Sequence, residues 1–114
     1  MAFERVTSLA EISPAEGLAV RSAGIPVALF LVEGVVYAME NRCPHANSAL
    51  VGGELRGCVI FCPVHFWDFD VRTGFKPGYS DGFPIPCFAV EVREGSVWLD
   101  VDDVINRRRR RQDA

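Results

Sequence analysis

The stretch NRCPHANSALVGGELRGCVIFCPVHFWDFDVRTG, residues 41–74, decides how this chain is read. It contains Cys43-Pro44-His45, then sixteen residues, then Cys62-Pro63-Val64-His65. Both histidines of the protein and two of its four cysteines fall in these two short boxes. Each box presents one thiolate and one imidazole from a proline-stiffened loop that follows a β-rich run. Two such loops brought together supply two sulfur and two nitrogen ligands to a metal centre.

Two centres accept that set. Structural zinc takes two cysteines and two histidines, with like ligands paired as Cys-x2–4-Cys and His-x3–5-His. Here each box pairs unlike ligands, and Cys43 and His45 are a single residue apart. A [2Fe–2S] cluster can instead place two cysteines on one iron and two histidines on the other. Neutral imidazole in place of anionic thiolate raises the potential, because the added electron meets less negative charge. The doubled unlike pairing favours the cluster, on Cys43, His45, Cys62 and His65.

The flanks of this stretch are β throughout. Short runs rich in strand formers lie at 17–21, 26–32, 35–39, 59–61, 67–71, 88–92 and 96–101, with 54–57 leading into the fourth of them. Ser22-Ala23-Gly24, Glu33-Gly34 and Arg93-Glu94-Gly95 separate neighbouring runs as turns. One helical turn is expected at 8–12 and nothing longer. Residues 41–86 hold most of the proline and glycine, and read as a loop-rich cap on an all-β scaffold. A chain of 114 residues suits one core. The expected domain is 1–106, with the cap at about 41–86 and a basic, disordered tail at 107–114.

Composition narrows the partners. No apolar stretch nears the roughly 18–20 residues that cross a membrane, and the longest, 25–32, reads as a buried strand. No apolar segment follows the first five residues, so no signal peptide is expected and the cytoplasm is the expected compartment. That also favours metal binding over two disulfides for the four cysteines, and leaves Cys58 and Cys87 as core thiols. The net charge of −3 conceals an asymmetry: Arg107 opens a run of arginines at 107–111, while residues 1–106 carry 7 basic against 14 acidic side chains. An acidic body does not suit nucleic acid. It fits brief docking on basic partner surfaces, though an ordinary solvated face explains the acids equally well.

Asn41-Arg42-Cys43-Pro44-His45, Cys62-Pro63-Val64-His65 and the run Trp67-Asp68-Phe69-Asp70-Val71-Arg72-Thr73-Gly74 resemble the small soluble Rieske ferredoxins of bacterial multicomponent oxygenase systems. The likeness spans nearly the whole chain. It implies an all-β Rieske fold, an antiparallel β-sandwich scaffold with a small cluster-binding subdomain at one tip. It also implies an inner iron on Cys43 and Cys62, an outer iron on His45 and His65, and a third loop at 77–86 shielding the cluster. The implied role is electron transfer rather than catalysis. Single electrons would pass from a flavin-containing, NAD(P)H-dependent reductase to a terminal oxygenase, either an aromatic-ring dioxygenase or a diiron monooxygenase. Rival readings are a small Rieske-like subunit of a nitrite-reductase-type complex and a zinc-stabilised interaction module.

Departures from the wider family sharpen the expectation. Respiratory Rieske proteins carry a disulfide between their ligand loops, at positions that are Ser48 and Val64 here. They also donate hydroxyl hydrogen bonds from positions that are Trp67 and Phe69 here, neither of which has a hydroxyl. Fewer donors leave the reduced cluster less stabilised, which places the potential toward the low end of the roughly −150 to +300 mV Rieske range. Phe66 followed by Trp67, where glycine is common after the last histidine, is similar to ferredoxins of toluene-type diiron monooxygenases. Together with His45 and His65, these aromatics could form the centre of a docking face, or simply pack inward.

Overall fold

A computed structural model describes residues 2–44, 47–64, 67–80 and 83–107. Among these residues nine strands fall into two antiparallel sheets. The larger contains β1 (Glu4–Ser8), β2 (Leu18–Ser22), β3 (Ile25–Val32), β4 (Val35–Glu40), β8 (Cys87–Arg93) and β9 (Ser96–Val104), in the order β1-β9-β8-β4-β3-β2. The smaller contains β5 (Glu54–Arg56), β6 (Val59–Phe61) and β7 (Asp68–Asp70), in that order. The expected sandwich is therefore one six-stranded sheet that curls nearly shut. Its two edge strands are tied together where Ser22 Oγ donates to Glu4 Oε1 at 2.7 Å.

The apolar run at 25–32 explains the layering. Strand side chains alternate between faces, so an unbroken apolar strand must be covered on both. Val27 and Leu29 enter a core inside the curled sheet with Val36, Ala38, Val97 and Leu99. Ala28 and Phe30 enter a second core, between the two sheets, with Met39, Ile60 and Phe69. All four of these central β3 residues are fully buried. β4 repeats the division, with Val36 and Ala38 on one side and Met39 on the other.

Three hairpins of the large sheet turn on two residues each, as the separators in the sequence require. Both turn residues have positive φ in every case: Ala23 and Gly24, Glu33 and Gly34, Glu94 and Gly95. This is the type I′ geometry, whose twist matches that of the strands it joins. The single expected helical turn is a 3₁₀ turn at Leu9–Glu11. A second one, Ile105–Arg107, follows β9. Arg107 thus closes an ordered turn and donates to the Pro84 carbonyl; the rest of the expected tail, 108–114, lies outside the described residues.

Candidate metal centre

The small sheet and its loops are held by polar side chains rather than by long ladders. Asn41 Oδ1 accepts from Leu50 N at 2.7 Å and Val51 N at 3.0 Å, bracing the segment behind the first cysteine. Asn106, just past β9, accepts from Cys87 N at 2.9 Å and donates to Thr73 O and Ile85 O at 2.8 Å each. The chain after β7 and the entry to β8 are thereby fixed to each other. Gly74 sits at that junction with φ +81, and a Cβ there would lie 2.3 Å from Ile85 O.

Both ligand boxes are closed in the same way. Cys43 N donates to Ser48 O at 2.7 Å, and Cys62 N donates to Trp67 O at 2.7 Å. Each cysteine amide therefore reaches the carbonyl five residues on, and pins the base of a loop whose interior holds the box's histidine in sequence. Within the first loop Asn47 N donates back to Cys43 O at 2.6 Å, and Asn47 takes a left-handed φ of 60°. Cys43 and Cys62 are fully buried and belong to one packed cluster with Leu50, Ile60 and Phe69. Ser48 Oγ stands 3.5 Å from Cys62 Sγ.

Among the described residues no three metal-ligating side chains gather in one place. His45, His65 and Phe66 lie outside those residues, so the described half of the four-ligand set is its cysteine pair. That pair suits a thiolate-held iron: two buried sulfurs on matched loops, in an apolar surround that keeps water from them.

Around the loops the surface is apolar. Val64 is 50% exposed, Trp67 39%, Tyr79 63% and Phe83 94%. A cavity of about 190 Å³ lies between the loops, lined by Pro44, Trp67, Phe69, Phe75, Tyr79 and Phe83 among others. Pro44 comes from the first box and Trp67 follows the second, while Tyr79 and Phe83 belong to the proline-rich loop expected to shield the site. Lys76 lies over the Trp67 ring at 5.1 Å from its centroid, and its ammonium pairs with Asp68 at 2.9 Å. The Phe69 side chain faces the core and is 5% exposed.

The remaining cysteines are thiols in or beside the core, as expected. Cys87 is buried, and its burial pushes the thiol pKa up to about 12. Cys58 is half-buried and lies close enough to Asp70 to act on its carboxylate. The Arg72 guanidinium grips the Asp70 carboxylate at 2.8 and 3.0 Å and holds it below the usual carboxylate range. Asn106 carried no signal in the sequence as a contributor to the site, and Asn41 and Ser48 entered the sequence reading only through family likeness, because each acts through contacts distant along the chain.

The description Rieske [2Fe-2S] domain matches residues 3–79. The ferredoxin component of the naphthalene 1,2-dioxygenase system of Pseudomonas putida is 40% identical over 94 residues, spanning 82% of this chain and 90% of that protein. Sphingomonas yanoikuyae B1 ferredoxin superposes with a TM-score of 0.78 at 30% identity, over 87% of this chain and 98% of that one. A chain in the complex of reduced oxygenase and oxidized ferredoxin in carbazole 1,9a-dioxygenase gives 0.76 at 33% identity, over 87% and 93%. With its matched cysteine-closed loops on an all-β frame, the chain belongs to the Rieske [2Fe-2S] domain family, among its ferredoxin components.

Proposed function

We propose that this protein carries single electrons from a flavin-containing, NAD(P)H-dependent reductase to the terminal oxygenase of an aromatic-ring dioxygenase system, and that it does so in the cytoplasm. One [2Fe–2S] cluster would be held by Cys43 and Cys62 on the inner iron and by His45 and His65 on the outer. When bound, the cluster accepts and releases one electron at a potential raised by its imidazole ligands. The observation that carries this reading is the pair of matched loops, each closed by its own cysteine amide and delivering both sulfurs to one buried cluster.

The chain's own residues supply position and access. The backbone clamps fix the two cysteines, and the apolar core excludes water from them. Val64, Trp67, Tyr79 and Phe83 give the docking face an apolar centre; Phe66, also expected there from the sequence, lies outside the described residues. A small face of this sort suits the brief, weak complexes of redox partners, in which a carrier must leave one partner to reach the next. No helix among the described residues is long and apolar enough to cross a membrane.

Aerobically purified protein is expected to contain two irons per chain, to be brown, and to give a Rieske-type EPR signal after dithionite reduction. Cys43→Ala and Cys62→Ala should abolish that signal while the far-UV spectrum of the β scaffold persists. Colourless protein with one zinc per chain would replace this reading with the interaction module. The partner assignment is tested by substituting the chain for the ferredoxin in a naphthalene dioxygenase assay. NADH-dependent product formation is expected, and none at any ferredoxin concentration would count against a ring-dioxygenase partner.

A further inference from the structure

Ser48 touches both halves of the candidate centre. Its carbonyl accepts from Cys43 N at 2.7 Å, which fixes its backbone to the first loop. Its hydroxyl stands 3.5 Å from Cys62 Sγ, across on the second loop. Sulfur is large and diffuse, so hydrogen bonds to it are longer than those to oxygen, and 3.5 Å lies within their reach.

Either atom could donate between a free hydroxyl and a free thiol. A cysteine on iron is a thiolate and has no proton to give, whereas a serine hydroxyl always has one. Metal binding therefore settles the direction, with Ser48 Oγ–H donating and Cys62 Sγ accepting. A hydrogen bond to a ligand thiolate draws off negative charge. It stabilises the reduced form more than the oxidised, because the reduced form places more charge on sulfur.

We infer that the Ser48 hydroxyl raises the reduction potential by donating to Cys62. This rests on the proposed assignment of Cys62 as an iron ligand. The donor lies outside the two positions at which family likeness looks for hydroxyls, Trp67 and Phe69, so a potential reasoned from those two alone is placed too low. Ser48 is half-buried, and water competes for its hydroxyl; that limits the effect to a modest one.

The test compares Ser48→Ala and Ser48→Thr with the wild type as full-length, cluster-loaded protein. Reduction potentials are measured by spectroelectrochemical titration, and cluster integrity by EPR. The alanine variant keeps the backbone carbonyl that clamps Cys43 and loses only the hydroxyl. Its reduced-to-oxidised ratio at a fixed applied potential is expected to fall by about three- to tenfold, a tenfold fall being 59 mV for a one-electron couple. The threonine variant, which retains a hydroxyl, is expected to stay near the wild type. An alanine variant with an intact EPR signal and an unchanged potential would overturn the inference and leave the cluster assignment standing. A wild type without any [2Fe–2S] signal would overturn the assignment itself. Should Ser48→Ala fail to load, Ser48→Gly is titrated in its place; loss of the cluster from both would show a structural hydroxyl and overturn tuning.

Discussion

The six-stranded sheet and the three-stranded subdomain reach order by different means. In the large sheet, strands run for up to nine residues, turns are two residues long, and the inner core is built from aliphatic side chains and one phenylalanine. In the subdomain, the three strands are three residues each, and the loops are held by Asn41, Asp70 and Asn106 acting on backbone groups. Charge divides along the same line. Residues 41–86 carry four basic and four acidic side chains, so the net −7 of residues 1–106 belongs entirely to the scaffold. The long strands and the net charge thus belong to one region, and a tip with no net charge and an apolar surface to the other. Both regions share β3, whose two faces feed the two cores.

Gly74→Ala offers the sharpest way to break this comparison. The new Cβ would lie 2.3 Å from Ile85 O and 2.6 Å from Asn106 Nδ2, at a φ of +81° that side-chain-bearing residues disfavour. Either the backbone moves or the Asn106 clamp opens. The expected loss is about 3 kcal/mol of stability, measured by urea unfolding. Hydrogen exchange should show the loss concentrated near 68–87, with β2 and β3 still protected. Uniform loss of protection would mean that the two regions open as one unit.

The second effect is read through pH. Cys87 opens β8 on the side of the core that faces the subdomain, and burial raises its folded pKa to about 12 against a reference of 9.0. The unfolded chain therefore releases this proton near pH 9, while the folded chain holds it until about pH 12. Its stabilising effect is complete below pH 9 and is lost as pH climbs through that window, at a limiting slope of about 1.4 kcal/mol per pH unit. Urea midpoints at pH 8 and 10.5 should separate further for the wild type than for Cys87→Ala, by the equivalent of about 2 kcal/mol. Equal separations would show that the thiol is not shielded as its burial implies.

The same division explains what could be read from the sequence. The scaffold was legible through periodicity: the runs at 26–32 and 35–39 coincide with β3 and β4 to within a residue. Two features of it were not. β1 has a polar sequence, Glu-Arg-Val-Thr-Ser, and is a strand because β9 pairs with it and Ser22 caps its edge. β9 continues to Val104, past the expected end at 101, because a register shift beside Phe88 lets that residue pair with Val104. In the subdomain, periodicity said little, and the information lay in ligand identity and spacing. What neither signal carries is a polar contact between residues far apart in the chain, such as Asn106 with Thr73 or Ser48 with Cys62.

Turn chemistry gives the smallest and most local contrast. The loop that Cys43 closes places Asn47 in the left-handed region with φ 60°, the residue besides glycine that best tolerates it. The scaffold places Glu33 there, at φ 49° in the β3–β4 turn. Its side chain is exposed, and type I′ turns favour Asn-Gly, a pair that Glu33→Asn would create with Gly34. The substitution relieves local strain without touching either core, so it should stabilise the protein by about 0.5 kcal/mol. The expected signature is a higher urea midpoint at unchanged m-value, together with an unchanged cluster EPR signal. A lower midpoint would show that Glu33 contributes more through its surroundings than its backbone conformation costs, and that the scaffold's turns are tuned no less closely than the cysteine-closed loops.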